Sequence, residues 1–180
     1  MTQIYFAGPD VFRPDAISFF EDVRAHAAQH DLECLIPIDA EIEEAMTSSE
    51  TVATKIFQSN CDMIRRADLI LANMAPFRGL EPDSGTLFEI GMAHALEKPV
   101  ILYDVDANLT LLERVHRAGQ LAHFDNGHPV DVLGLMIENF GLPFNLMPYH
   151  AAQAIVAGTV FDALDEAART LTRRPIARVS

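Results

Sequence analysis

Two carboxylates, Asp83 and Glu89, stand six positions apart in PDSGTLFEIGMAHAL, the stretch from Pro82 to Leu96. Gly85 and Thr86 lie between them, and the remainder has the small and apolar residues of a tightly packed helix. A carboxylate in the first turn of a helix is held ionised by the free amides and the helix dipole. Such an anion can attack an electron-poor sugar carbon. The same residues also fit a structural reading. Thr86 and Glu89 have the spacing of a capping box, and a lone Asp83 fits a loop residue that accepts backbone hydrogen bonds.

Other chemistries fit less well. Asp83-Ser-Gly-Thr has a faint likeness to an aspartyl-phosphate motif, but FRGLEP rather than a strand precedes it. There is no phosphate-cradling Gly-Lys-Ser/Thr loop and no Gly-x-Gly-x-x-Gly after the first strand, and no Gly-x-Ser-x-Gly elbow. The seven histidines are read as scattered surface or core residues without paired metal-ligand spacing, so neither a metal nor a cofactor is expected.

The elements that must position these carboxylates follow from hydrophobic patterning. Ile4–Phe12 reads as a buried strand ending at Gly-Pro, and Leu32–Ile38 and Ala67–Met74 as two more strands. Lys98–Asp106 is a fourth. Helices are predicted over Pro14–His30, with Ile17, Phe20, Val23 and Ala27 facing the core, over Val52–Arg66, with Ile56, Cys61 and Ile64, and over Leu87–Glu97. This alternation requires a parallel sheet between helices, a single α/β domain over residues 1–180. Beyond it, helices are predicted at Leu109–Ala118, Val130–Phe140 and Ala151–Leu171, a fifth strand near Leu121–Phe124, a loop at Gly141–Pro148 and a frayed tail after Arg173. Ligands of open parallel sheets bind beyond the carboxyl ends of the strands. That rule gathers Tyr5, Asp10 and Asn73 at the same rim as Asp83 and Glu89. Phe12 and Phe77 offer an apolar platform for a base, whereas Phe6, inside the strand, is read as core.

Composition narrows the partners. The formal charge of −13 argues against a nucleic-acid polymer, whose binding draws on Lys and Arg, but admits a small neutral ligand such as a nucleoside. No apolar run approaches the length of a membrane span, and no secretory signal is visible. Two cysteines make no disulfide framework, and Cys34, in an apolar run, is read as a buried reduced thiol. A cytoplasmic protein is expected.

IYFAGP at the start, ANMAPFRGLEPDSGTLFEIGMAHAL in the middle and FGLPFNLM near the end resemble nucleoside 2-deoxyribosyltransferases, in the same order and over roughly Ile4 to Met147. The resemblance implies a flavodoxin-like fold, with a parallel sheet of about five strands flanked by helices on both faces. It implies transfer of 2-deoxyribose between nucleobases, with 2-deoxyribonucleosides and free purine or pyrimidine bases as partners. Glu89 matches the family's nucleophile, Asp83 a residue that holds the sugar and assists proton transfer, and Tyr5 the tyrosine that orients the nucleophile. Phe12 matches an aromatic lining the base site. Asn145 and Met147 match residues given to a neighbour's active site, which implies a homo-oligomer, a dimer or an assembly of dimers, with shared sites. Many members carry an Asp where this chain has Asn73, which can hydrogen-bond a base but cannot protonate it. Asp10 and Asp83 are then the acids left to supply that proton. A covalent glycosyl-Glu89 intermediate would give net retention. Two other readings stay open: an N-glycosidase of deoxynucleosides or deoxynucleotides that uses water as acceptor, and a non-catalytic nucleoside-binding module.

Overall fold

The structure is a computed structural model that describes residues 1–37 and 50–173. Five parallel strands form its main sheet: β1 (Thr2–Ala7), β2 (Leu32–Leu35), β3 (Leu69–Asn73), β4 (Val100–Tyr103) and β7 (Ala154–Ile155). They lie in the order β2-β1-β3-β4-β7, a doubly wound order whose direction reverses after β1. The five-stranded flavodoxin-like expectation holds.

Strand alternation decides which side chain enters which layer. Ile4 and Phe6, Leu69 and Leu71, and Ile101 and Tyr103 face one layer, which is built with Phe20 and Val23 of α1 (Ala16–Ala28) and Ala163 and Leu164 of α6 (Val160–Arg173). Tyr5 and Ala7, Ile70 and Ala72, and Val100 and Leu102 face the other. There they meet Met63 and Ile64 of α2 (Glu50–Arg66) and Ile90 and Ala93 of α3 (Ser84–Ala95). Both faces are covered, which is why the strands read as continuous apolar runs. On α1 the predicted core face holds for Phe20, Val23 and Ala27, but Ile17 is 60% exposed and Ala16 takes its place. On α2, Cys61 and Ile64 are buried and Ile56 is half-buried. Cys34 is half-buried rather than buried.

Other expectations change in the second half of the chain. The predicted Ala151–Leu171 helix is broken. A short α5 (Leu146–Ala151) ends, β7 pairs with Ile101 and Leu102, and α6 begins only at Val160. Helix propensity of the alanines loses to backbone pairing: Gln153 N–H and Val156 N–H donate to the carbonyls of Val100 and Leu102 at 2.8 Å each. Leu121–Phe124 is indeed extended, within β5 (Leu121–Asp125), but it joins β6 (His128–Asp131) in a separate antiparallel pair. The predicted Val130–Phe140 helix is absent. Asp131 ends β6 in a turn, its carboxylate accepting from Leu133 and Leu135 N–H at 2.9 Å, and Gly134 adopts φ +83°. Leu109–Ala118 contains α4 (Leu111–Arg117), closed by a Thr110–Glu113 capping box. Gly141–Pro148 is a loop only to Asn145, which caps α5. Ile38 and the tail after Arg173 lie outside the described residues. No helix among the described residues is long and apolar enough to cross a membrane.

One close approach governs the rim. After β1 the chain turns through a 3-10 segment, Pro9–Phe12, and Gly8 enters it at φ +146°. A Cβ on Gly8 would lie 2.6 Å from the Asn73 Cβ. Gly8→Ala should therefore cost about 2–4 kcal/mol, from overpacking plus an unfavourable φ, read from urea unfolding. A cost below about 0.5 kcal/mol, the ordinary range for a harmless substitution, would show that the turn is not held against Asn73.

Candidate active site

The centre of the site is one hydrogen bond. Tyr5 Oη donates to Glu89 Oε1 at 2.6 Å, across 84 positions of sequence. Tyr5 is fully buried in the sheet, so its hydroxyl is held in place by core packing, while Glu89 is half-buried at the edge of a cleft. A phenol O–H to a carboxylate at this length is a charge-assisted bond.

Helix α3 begins at Ser84, earlier than patterning suggests, and its cap is Asp83 rather than Thr86. Asp83 Oδ2 accepts from Thr86 N–H at 3.0 Å and from the Thr86 hydroxyl at 3.2 Å. The capping-box reading of Glu89 is thus replaced. Glu89 also falls in the second turn, not the first, and its carboxylate accepts from the Tyr5 hydroxyl. Asp83 accepts a backbone hydrogen bond, as the structural reading has it, but as the helix cap rather than as a loop residue, and it also borders the cleft. A Cβ at Gly85 would lie 2.9 Å from Asp83 Oδ2, so glycine keeps that carboxylate uncrowded.

The cleft encloses about 340 Å³ between Gly8, Val11, Phe12, Pro37, Ile56, Asn60, Asp83, Gly85, Thr86 and Glu89. That volume lies at the small end of the range for small-molecule sites. Phe12 is 62% exposed and stacks on Phe77, with ring centres 5.5 Å apart and planes 16° from parallel. The Arg78 guanidinium lies 4.6 Å from the Phe77 ring centre and 5.7 Å from that of Phe12. An exposed, stacked phenylalanine at the mouth of a largely apolar cleft suits the flat face of an aromatic ligand. The loop carrying Phe77 and Asp83 is anchored from below: buried Arg114 donates to the carbonyls of Leu80 at 3.1 Å and Pro143 at 3.0 Å.

Asp10 and Asn73 reach the same rim but do not line the cleft. They are buried beneath the 3-10 turn on the α1 side of the sheet. Asp10 Oδ2 accepts from Asn73 Nδ2 at 2.8 Å and from the Tyr103 hydroxyl at 2.7 Å, and Arg13 approaches Asp10 Oδ1 at 3.9 Å. Asn73 Nδ2 also donates to Asp104 Oδ2 at 3.1 Å, and Asn73 Oδ1 accepts from Ala75 N–H at 2.8 Å. Both amide protons of Asn73 are therefore spent on carboxylates, and the side chain has no free donor to offer a base. Asp104 sits at φ +54° with its carboxyl turned back onto Asn73. Burial, and then the nearby Asp10 charge, raise the Asp104 carboxyl above the usual carboxylate range. Burial and the same charge push the Tyr103 phenol well up, so it stays a donor.

Asn145 and Met147 lie elsewhere within the chain. They border a second cleft of about 420 Å³ on another side of α3, with Leu87, Gly91 and His94. Asn145 Oδ1 caps α5 through Met147 N–H at 2.9 Å, and its Nδ2 donates to Glu138 at 2.7 Å. Phe144 of the same loop is buried in its own core, whereas Met147 is 70% exposed. The rim rule takes in the segments Asn73–Gly85 and Tyr103–Asp106, and so Arg78, Tyr103 and Asp104, but gives those three side chains no role; sequence reasoning missed Asn60 in the cleft, whose carbonyl oxygen is buried and takes no hydrogen bond among the described residues. The histidine expectation also needs correction. His26 and His30 are four positions apart, a paired spacing, at the end of α1 and in the turn that follows it, and both meet Asp165.

The site thus sets a buried tyrosine against a carboxylate at the carboxyl edge of a doubly wound sheet, beside an aromatic shelf. The family model for nucleoside 2-deoxyribosyltransferase matches residues 4–147, and the chain belongs to that family. Among solved structures, a 2-deoxyribosyltransferase from Leishmania mexicana is 35% identical, covers 93% of this chain and 96% of its own, and superposes with a TM-score of 0.68. A 2-deoxyribosyltransferase from Bacillus psychrosaccharolyticus shares the fold at 20% identity and a TM-score of 0.50, covering 70% of this chain and 88% of its own. An uncharacterized protein of Schizosaccharomyces pombe is 27% identical, over 80% of this chain and 74% of its own length.

The Asn73 amide separates two carboxylates, and Asn73→Asp would set a third among them. Like charges raise folded-state carboxyl pKa values, so the ionised trio destabilises the fold at neutral pH, and the penalty is relieved as pH falls through those raised values. We predict that Asn73→Asp melts below the wild type at pH 7 and that the gap narrows toward about pH 4, near the unfolded carboxyl range. Thermal melts across that interval measure it. A gap independent of pH would rule out charge repulsion as the cause.

Proposed function

We propose that the protein transfers 2-deoxyribose between nucleobases through a covalent ester at Glu89. The observation that carries this reading is the 2.6 Å Tyr5–Glu89 hydrogen bond at the border of the cleft. The base of a bound deoxynucleoside lies against Phe12 and Phe77, and its sugar presents C1′ to Glu89. A carboxylate oxygen of Glu89 attacks C1′, the C1′–N bond breaks with its electron pair going to the base, and an ester forms. The departing base takes up a proton, for which we assign Asp83, the other carboxyl bordering the cleft, rather than the buried and fully engaged Asp10. A second base then attacks C1′ from the vacated face, the ester bond breaks, Glu89 is released as carboxylate and the incoming base gives up its proton to the Asp83 carboxylate, which restores the acid. Two displacements at one carbon give retention. In this scheme Asp10 and Asn73 act at one remove, holding the turn that carries Phe12.

Incubation with deoxyinosine and free adenine or cytosine should yield the new deoxynucleoside, seen by chromatography. Glu89→Gln keeps the size and a hydrogen-bonding oxygen but loses the anion, and the rate should fall by roughly three powers of ten or more. Near-normal turnover by Glu89→Gln would remove the nucleophile assignment. Free hypoxanthine with no acceptor product would instead favour hydrolysis.

We further propose that Asn145 and Met147 complete the site of a second copy. The exposure of Leu133 (80%), Met136 (74%), Phe140 (66%) and Met147 (70%) supports an apolar face covered in an oligomer. Mixing the inactive Glu89→Ala and Asn145→Ala proteins after joint refolding should restore part of the activity, because some sites regain both residues. Mixed oligomers with no recovered activity would place Asn145 within its own chain's function.

A further inference from the structure

On the sheet layer opposite Glu89, two histidines and an aspartate converge. His26 lies in the last turn of α1 and His30 two residues beyond its end, and their ring centres stand 5.5 Å apart. Asp165 approaches from α6. Its Oδ1 is 2.9 Å from His26 Nε2 and 3.1 Å from His30 Nε2, and the three candidate donor atoms lie within 4.8 Å of one another. We propose that this cluster is a binding site for a divalent transition-metal ion of the zinc type, joining α1 to α6.

Several observations carry the assignment. The donor set is two imidazole nitrogens and one carboxylate, which suits Zn²⁺ and its neighbours and not Mg²⁺ or Ca²⁺, which take oxygen ligands. Bonds of about 2.0–2.2 Å to such an ion set ligand atoms a little over 3 Å apart, so the 2.9 and 3.1 Å separations need only a small expansion. In the absence of an ion each ring must place a proton on Nε2 to reach the same oxygen, and one ion in the middle replaces both protons. His26 and Asp165 stand on helices anchored by buried Val23 and Ala27 on α1 and Leu164 on α6, and His30 is tied to the end of α1 by its N–H, which donates to the Ala27 carbonyl at 3.0 Å, so their spacing is set before any metal arrives. The Phe161 ring, 5.4 Å from that of His26, backs one wall. Solvent reaches the other side, since all three side chains are part-exposed at 27%, 34% and 49%, so water fills the remaining coordination position and the ion can exchange. The site shares no residue with the Glu89 cleft, and its role is to tie together two helices whose ligands are far apart in sequence.

Titration of the full chain with Zn²⁺, after chelator treatment and in a buffer without imidazole, should show one ion bound per chain and a rise in melting temperature. His30→Ala and Asp165→Asn should each weaken binding by at least about tenfold, the lower end of what even outer-shell changes cost, and should abolish the melting shift. His123→Ala, on β5, should change neither. Circular dichroism checks that each variant is folded. Anomalous scattering at the zinc edge from crystals of the unmutated protein gives a readout that needs no variant, and it should peak between His26 and His30. Absence of zinc binding, binding unchanged in both ligand variants, or an anomalous peak elsewhere would each overturn the proposal.

Discussion

The site depends on a tyrosine hydroxyl that the core cannot let move. Tyr5 is the middle residue of a strand buried on both faces, and alternation leaves it one direction, into the layer shared with α3. There its hydroxyl meets Glu89 of α3. The free energy that fixes this contact comes from the packing of Ile4, Phe6 and their neighbours, not from the contact itself. A side chain held this way loses little further freedom when a substrate arrives, which is the condition for a preorganised site.

The same alternation divides the rim into two halves. Tyr103 and Asn73 point to the opposite layer from Tyr5, so their polar cluster forms over α1 and below the 3-10 turn. Asn73 there resolves an electrostatic problem. Its two amide protons lie between the Asp10 and Asp104 carboxylates, and Gly8 permits the close packing that keeps it there. A carboxylate at position 73 would turn a bridge into a repulsion. The residue that departs from the family's pattern is thus matched to its own surroundings.

Much of this was legible in the residues alone, for identifiable reasons. Fully buried parallel strands and their helices write continuous or periodic apolar runs, and the four strands through Tyr103 follow from them. The motif around Glu89 and the rim rule then brought Tyr5, Asp83 and Glu89 together. Three things were not legible. β7 is two residues long, and its alanine-rich setting favours helix locally, while only the exposed edge of β4 makes it a strand. The β5–β6 pair is largely exposed, so it lacks the periodicity that burial imposes. The identity of the α3 cap hinges on a choice between Asp83 and Thr86, three positions apart, and local propensity allows either. The burial of Asp10 could not be read either, because a polar residue beside Gly-Pro reads as a surface turn until its partners from β3 and β4 are in place.

The central claim is that Glu89 itself takes the sugar. Acid quenching of the enzyme during turnover of a deoxynucleoside, with no acceptor base present, followed by proteolysis and mass spectrometry, examines that bond directly. The account predicts one deoxyribosyl unit on the peptide containing Glu89, lost when an acceptor base is added before the quench. Steady turnover with no adduct, or an adduct on a different carboxylate such as Asp83, would contradict it.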